Sequence, residues 1–161
     1  MNLQQLKKII DEKVIFEKNI LVGCLIGIDF GIKRTGLSHT DPNNIIASGL
    51  KNLPTKDVIS FLKAHFKIED IESFVIGKPI QKDGSPSDLE FHIKDFIELL
   101  KKNFPKQKIE RYDERFTSKI AFNSMVEGGL KKHQLANKGL IDQISATIIL
   151  QSYLDHKMNS L

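Results

Sequence analysis

The spacing of the apolar segments changes part-way along the chain, and that change restricts the fold more than any other feature. Leu21 to Phe30, Gly36 to His39 and Ile45 to Leu50 read as strands, separated only by the turn Gly31 to Thr35 and by a stretch containing DPNN. Connections this short join neighbours that run in opposite directions. From Thr55 the rhythm lengthens. A helix is predicted over Thr55 to Phe66 with Thr55 as its N-cap, then a strand over Ser73 to Gly77. After the loop KPIQKDGSPS a second helix is predicted over Pro86 to Asn103, then a strand over Lys108 to Tyr112. Strands separated by helices pair in parallel. Together these segments predict an α/β fold: a mixed five-stranded sheet, three antiparallel strands then two parallel ones, with helices on both faces.

The flanks read as helical. Leu3, Leu6, Ile9, Ile10 and Val14 recur at helical spacing over residues 3 to 16, an appendage within an extension of residues 1–23 ahead of a domain over 24–157. A helix is predicted over Ser118 to Glu127, stopped by Gly128-Gly129, and a last one over Leu140 to His156 whose Ile141, Ile144, Ile148 and Leu150 to Leu154 make most of its length core. Tyr112 and Tyr153 read as aromatics at the edge of that core.

Of the 161 residues, 40 % are hydrophobic, and 24 Lys and Arg against 20 Asp and Glu leave a net charge of +4, a mild excess that suits a polyanionic partner. The single cysteine, Cys24, excludes an internal disulfide and a cysteine-based zinc site, and points to a reducing compartment. The longest apolar run, Ile20 to Ile28, is far shorter than the roughly 20 residues that span a bilayer. Acids among the N-terminal lysines do not fit a signal peptide, so the expected location is the cytoplasm, with no membrane partner.

Four acids carry the functional reading. Asp29 ends the most hydrophobic segment, Asp113 and Glu114 follow the last strand in IERYDERFTS, and Asp142 lies at the start of the last helix. Singly each has an ordinary use: Asp29 ordering a glycine turn, Asp113 or Glu114 capping the helix at Thr117 and Ser118, Asp142 facing a helix dipole. If the strands carrying Asp29 and the Asp113-Glu114 pair run parallel, however, these acids reach one sheet edge. Carboxylates gathered in an apolar setting repel one another and call for a cation. With only oxygen donors, that cation is Mg²⁺ or Mn²⁺ rather than zinc, and two such ions cleave phosphodiesters.

The segments GIDFGIKRTGLS, FVIGKPIQKDGSPS, YDERFTS and IDQISATIILQSYLD resemble, in order and spacing, the YqgF/RuvX family of small bacterial ribonuclease-H-like proteins described as Holliday junction resolvases. The resemblance covers roughly Leu25 to Asp155. It implies a ribonuclease-H-like fold, a metal-dependent nuclease site, and a role in maturing the 5′ end of pre-16S ribosomal RNA. It assigns the metal to Asp29, Glu114 and Asp142, with Asp113 as a further catalytic candidate. Glu114 is preferred over Asp113 because neighbouring strand residues face opposite ways.

Gly27 and Gly31 would then let a backbone or phosphate approach Asp29, and Lys33 and Arg34 would hold a polyanion. Lys78, Arg115 and the loop lysines Lys131 and Lys132 are further candidates for substrate contact, whereas Lys138 and His133 suit a solvated loop equally well. Three departures from the family pattern bear on substrate contact, one being a loop before the last helix that is less basic than the arginine-rich run of relatives. Ile32 stands where relatives carry a small hydroxyl residue, and GKPIQ replaces a GLPLN-like stretch, adding the charge of Lys78. The expected partners are pre-rRNA, in a pre-ribosomal particle, or branched DNA, the latter requiring a homodimer rather than a monomer to cut two strands symmetrically. A non-catalytic nucleic-acid-binding factor with the same fold is the reading from a different functional class.

Overall fold

A computed structural model of the chain describes residues 23–117 and 137–160. The helices expected over residues 3–16 and over Ser118 to Glu127 lie outside the described residues, as do Lys131, Lys132 and His133. Five strands, β1 (Cys24–Asp29), β2 (Arg34–Thr40), β3 (Ala47–Pro54), β4 (Ile71–Lys78) and β5 (Lys108–Asp113), form one sheet in the order β3-β2-β1-β4-β5. β2 pairs antiparallel with both β1 and β3, whereas β4 pairs parallel with β1 and with β5. The sheet predicted from the spacing of the apolar runs is the sheet observed.

Period-two alternation splits the core into two layers. Ile26 and Ile28 of β1, Leu37 of β2, and Phe74 and Ile76 of β4 face one side. There they meet Val58 and Leu62 of α1 (Val58–His65) and Ile93, Phe96 and Leu100 of α2 (Glu90–Asn103). Leu25, Val75 and Tyr112 face the other side and pack on Ile149, Leu150 and Leu154 of α3 (Lys138–Asn159). α3 lies across β1, β2, β3 and β4. Tyr112 and Tyr153 sit at the margin of that layer, edge to face with ring centres 6.1 Å apart.

Several boundaries differ from expectation for identifiable reasons. β3 begins at Ala47 rather than Ile45, because the Asp41 carboxylate accepts the backbone N–H groups of Ile45 and Ile46, both at 2.7 Å, and holds them in the turn with their side chains exposed. Thr35 belongs to β2 rather than to the turn, and is fully buried.

Thr55 is not an N-cap. It opens a 3₁₀ turn over Thr55–Asp57, and its hydroxyl donates to the Gly31 carbonyl at 2.6 Å and lies 2.9 Å from the Thr35 hydroxyl, fastening this turn to the β1–β2 hairpin. α2 begins at Glu90 because Pro86 pairs with Ile80 across the preceding loop. α3 starts two residues earlier than expected, where the Asn137 side chain accepts the N–H groups of Gly139 and Leu140.

Candidate active site

Asp29 is the last residue of β1, on the face turned toward α3 and paired in register with Gly36 of β2. Gly36 matters because a side chain there would overlap the Asp142 carbonyl, so only glycine lets the start of α3 settle against the hairpin. Asp142 is the fifth residue of α3 rather than part of its first turn, a consequence of the earlier helix start. The room at the other two glycines is taken by the protein itself. A Cβ at Gly27 would meet the Ser38 hydroxyl and α3, and one at Gly31 would meet the Arg34 carbonyl.

Alternation along β5 sends Tyr112 toward α3, and Arg111 and Asp113 toward the opposite face. The chain then bends into a 3₁₀ turn, Glu114–Phe116, which returns Glu114 to the α3 side. Its Oε1 occupies the space left by the absent side chain of Gly77, where a Cβ would also come within 2.8 Å of Ile149 Cδ1. The preference for Glu114 over Asp113 has this geometric counterpart: Asp113 is held by Arg115, whose Nη2 donates to Oδ2 at 2.7 Å and whose backbone N–H donates to Oδ1 at 3.0 Å. Arg115 holds the Asp113 carboxyl below the ordinary carboxylate range.

Glu114 and Asp142 are brought close enough for their charges to act on Asp29. Burial first, then the charges of Glu114 and Asp142, push the Asp29 carboxyl from 3.8 up to about 7. Burial also raises Glu114, opposed by the positive charge of Arg111. Asp142 takes a different partner, its Oδ2 accepting from Asn52 Nδ2 at 2.9 Å.

The donor set is carboxylate oxygen alone, with no cation among the described residues forming an ion pair with Asp29, and this suits a hard divalent ion. Among the described residues, no three acidic, histidine or cysteine side chains are drawn around a common point as a finished cage. The three acids fit the ion in chemistry and in the edge they share.

The basic candidates separate into two groups. Lys33 projects from the hairpin turn and Lys78 from the end of β4, both exposed. Arg34 and Arg115 are engaged, the first with Asn52 at 2.8 Å through Nε, the second with Asp113. Ile32 is also exposed, at 59 %, beside Lys33.

Three residues of the site escaped the sequence. Asn52 has no signature, since its role depends on the register of β3. Arg111 and Glu90 could have been found. An arginine inside a strand, facing the side opposite Tyr112, needs a carboxylate from the helix that covers it, and Arg111 binds Glu90 through two hydrogen bonds of 2.7 and 2.9 Å.

Residues 23–156 match the family model described as RuvX: Holliday junction resolvase. The chain belongs to the RuvX family. Curated relatives bearing the name "Putative pre-16S rRNA nuclease" include one from Flavobacterium psychrophilum, 49 % identical over 134 residues that make up 83 % of this chain and 98 % of the relative. Another from Christiangramia forsetii is 48 % identical over 130 residues, 81 % of this RuvX chain and 96 % of the relative. Among solved structures, T. thermophilus RuvC in complex with a Holliday junction substrate aligns with a TM-score of 0.54 at 15 % identity, covering 85 % of this chain and 97 % of that one. That similarity is one of fold, and the fold is ribonuclease-H-like.

Proposed function

We propose that this RuvX-family chain is a metal-dependent nuclease that hydrolyses phosphodiester bonds in structured RNA, processing the 5′ end of pre-16S rRNA. The observation that carries the reading is the meeting of carboxylates from three separate segments at one sheet edge, where burial first and then the charges of Glu114 and Asp142 raise the proton affinity of Asp29. A fold spends stability on such an arrangement where function requires it. The names of the curated relatives support RNA as the substrate.

Asp29, Glu114 and Asp142 would hold the ion, Mg²⁺ or Mn²⁺. Bound there, singly or as a pair, it would supply the charge that activates a water and stabilises the departing oxygen. The chain's own residues do the rest. Asp29 must give up its proton to bind the cation, which sets a pH threshold for activity. The Gly77 recess fixes Glu114 on the α3 side. Lys33 on the β1–β2 hairpin and Lys78 at the end of β4, both exposed, offer cations to a nucleic-acid backbone approaching the edge where β1 and β4 end. Asp113, tied to Arg115, orders the turn that delivers Glu114.

Cleavage of four-way DNA by a homodimer is the second reading, favoured by the description of the family model. Purified protein with Mg²⁺ is offered a pre-16S 5′-leader RNA and a four-way DNA junction. RNA cleavage that is lost in Asp29→Asn, with the junction intact, is the expected result. Junction cleavage without RNA cleavage selects the second reading. RNA binding with neither cleavage, and normal function of Asp29→Asn in cells, would reduce the chain to a binding factor.

A further inference from the structure

Arg34 and Asp142 belong to different segments, carry opposite charges and flank the same corner of the site, yet they form no ion pair. Asn52 of β3 stands between them. Arg34 donates from both Nε, at 2.8 Å, and Nη2 to the single oxygen Asn52 Oδ1, and the amide nitrogen of Asn52 donates to Asp142 Oδ2 at 2.9 Å. Among the described residues, Asn52 is the only hydrogen-bond partner of either the Arg34 guanidinium or the Asp142 carboxylate.

The orientation of the amide is determined by chemistry. Guanidinium nitrogens can only donate, so the amide oxygen must face Arg34, and the nitrogen is thereby aimed at the carboxylate. Three segments fix the span: Asn52 pairs in register with Gly36, Gly36 admits the backbone of Asp142, and Gly139 leaves room for the Arg34 guanidinium at the start of α3.

We propose that Asn52 is a positioning residue of the active site, a neutral spacer that holds Asp142 in place by one hydrogen bond while keeping the Arg34 guanidinium off it. A direct Arg34–Asp142 pair would spend on each other the charge of a metal-binding carboxylate and the donors of a phosphate-binding arginine. With the amide interposed, Asp142 is engaged at Oδ2 by a neutral donor and keeps its full negative charge, and Arg34 keeps Nη1 for the substrate. Removing a partner that orients a metal-binding side chain costs on the order of 10–100-fold in metal affinity or activity.

The inference rests on the nuclease reading, and the test separates the two. Asn52→Leu keeps the approximate volume and removes both hydrogen bonds. Asn52→Asp keeps an acceptor for Arg34 but sets a second carboxylate oxygen against Asp142. Each is titrated with Mg²⁺ by two readouts, initial rate on the RNA and melting temperature of the protein without substrate. Both variants should fold, and both should need on the order of 10-fold more Mg²⁺ for half-maximal rate and for half-maximal thermal stabilisation. Asn52→Leu should also raise the KM for RNA, because Arg34 is freed to pair with Asp142.

The double variant Asn52→Leu/Arg34→Met should lose the part of the Mg²⁺ defect that comes from this new ion pair. Variants that melt normally and show the wild-type Mg²⁺ midpoint in both readouts overturn the positioning role while leaving the nuclease reading intact. A wild type whose melting temperature and activity are both indifferent to Mg²⁺ overturns the nuclease reading, and the positioning role with it. A wild type stabilised by Mg²⁺ but inactive on RNA, with the midpoint shifted in the variants, upholds the positioning role against the nuclease reading.

Discussion

Asp29→Asn removes a charge that the fold makes expensive. In the folded chain burial and the neighbouring Glu114 and Asp142 push this carboxyl from 3.8 to about 7. In the unfolded chain it ionises near its ordinary value. Between those two values the folded state keeps a proton that the unfolded state has released, so stability falls as pH rises through this window and levels off above it. At ~1.4 kcal/mol for each tenfold change in proton affinity, the cost reaches about 4 kcal/mol at pH 8 and only about 2 kcal/mol at pH 5.

The amide carries no such cost. In EDTA the variant should therefore exceed the wild type by about 4 kcal/mol at pH 8, a rise in melting temperature of roughly 8–16 °C for a domain of this size, and by about half that free energy at pH 5. Urea unfolding followed by circular dichroism at both pH values measures the difference. Saturating Mg²⁺ should narrow the gap at pH 8 by stabilising the wild type alone. A variant no more stable than wild type at pH 8, or an advantage of equal size at both pH values, would refute the claim that burial and the neighbouring carboxylates raise the proton affinity of Asp29.

Glu114→Gln should abolish RNA cleavage, while Asp113→Asn should leave kcat within about tenfold, since Asp113 is spent on Arg115; single-turnover rates on a labelled RNA distinguish them. Gly77→Ala should cost about 1–3 kcal/mol in denaturant unfolding and lower activity more than stability accounts for, because the added methyl group occupies the place of Glu114 Oε1. Arg111→Met strands the largely buried carboxylate of Glu90 and should cost about 3 kcal/mol by the same measurement. Lys33→Glu should weaken RNA binding and reduce the slope of log affinity against log salt by about one, read from filter binding at several salt concentrations.

The parts of the fold set by periodicity were legible in the sequence. The change from short turns to helical crossovers predicted five strands and the change from antiparallel to parallel pairing, while their order across the sheet came from the structure. The boundaries that moved did so because one side chain had a use that no pattern announces. Asp41 captures two backbone N–H groups, Pro86 pairs across a loop, and Thr55 bonds to a hairpin instead of capping a helix.

At the site the acids could be picked out by their apolar surroundings. What each of them touches could not. The partnership of Asn52 with Asp142 spans ninety positions and exists only because β3 pairs with β2 in one register. The opposite directions taken by the side chains of Asp113 and Glu114, adjacent in sequence, were foreshadowed by strand alternation. The recess at Gly77 that receives Glu114 belongs to another strand.

α3 is a single rod of 22 residues, about 33 Å long, laid across four strands with one of the acids near its leading end. Its apolar grip on the sheet is made behind that end, by Ile149, Leu150 and Leu154, while the leading end is seated separately, where Gly36 admits the Asp142 backbone and Gly49 lies against Gln143, so the helix is a strut anchored at two points. Leu154 sits about 18 Å along the axis from Asp142, and one turn of slippage would displace the carboxylate by about 5.4 Å. Trimming Leu154 to alanine should thus loosen the rear anchor and be felt at Asp142 from a distance, without any change to the acids themselves.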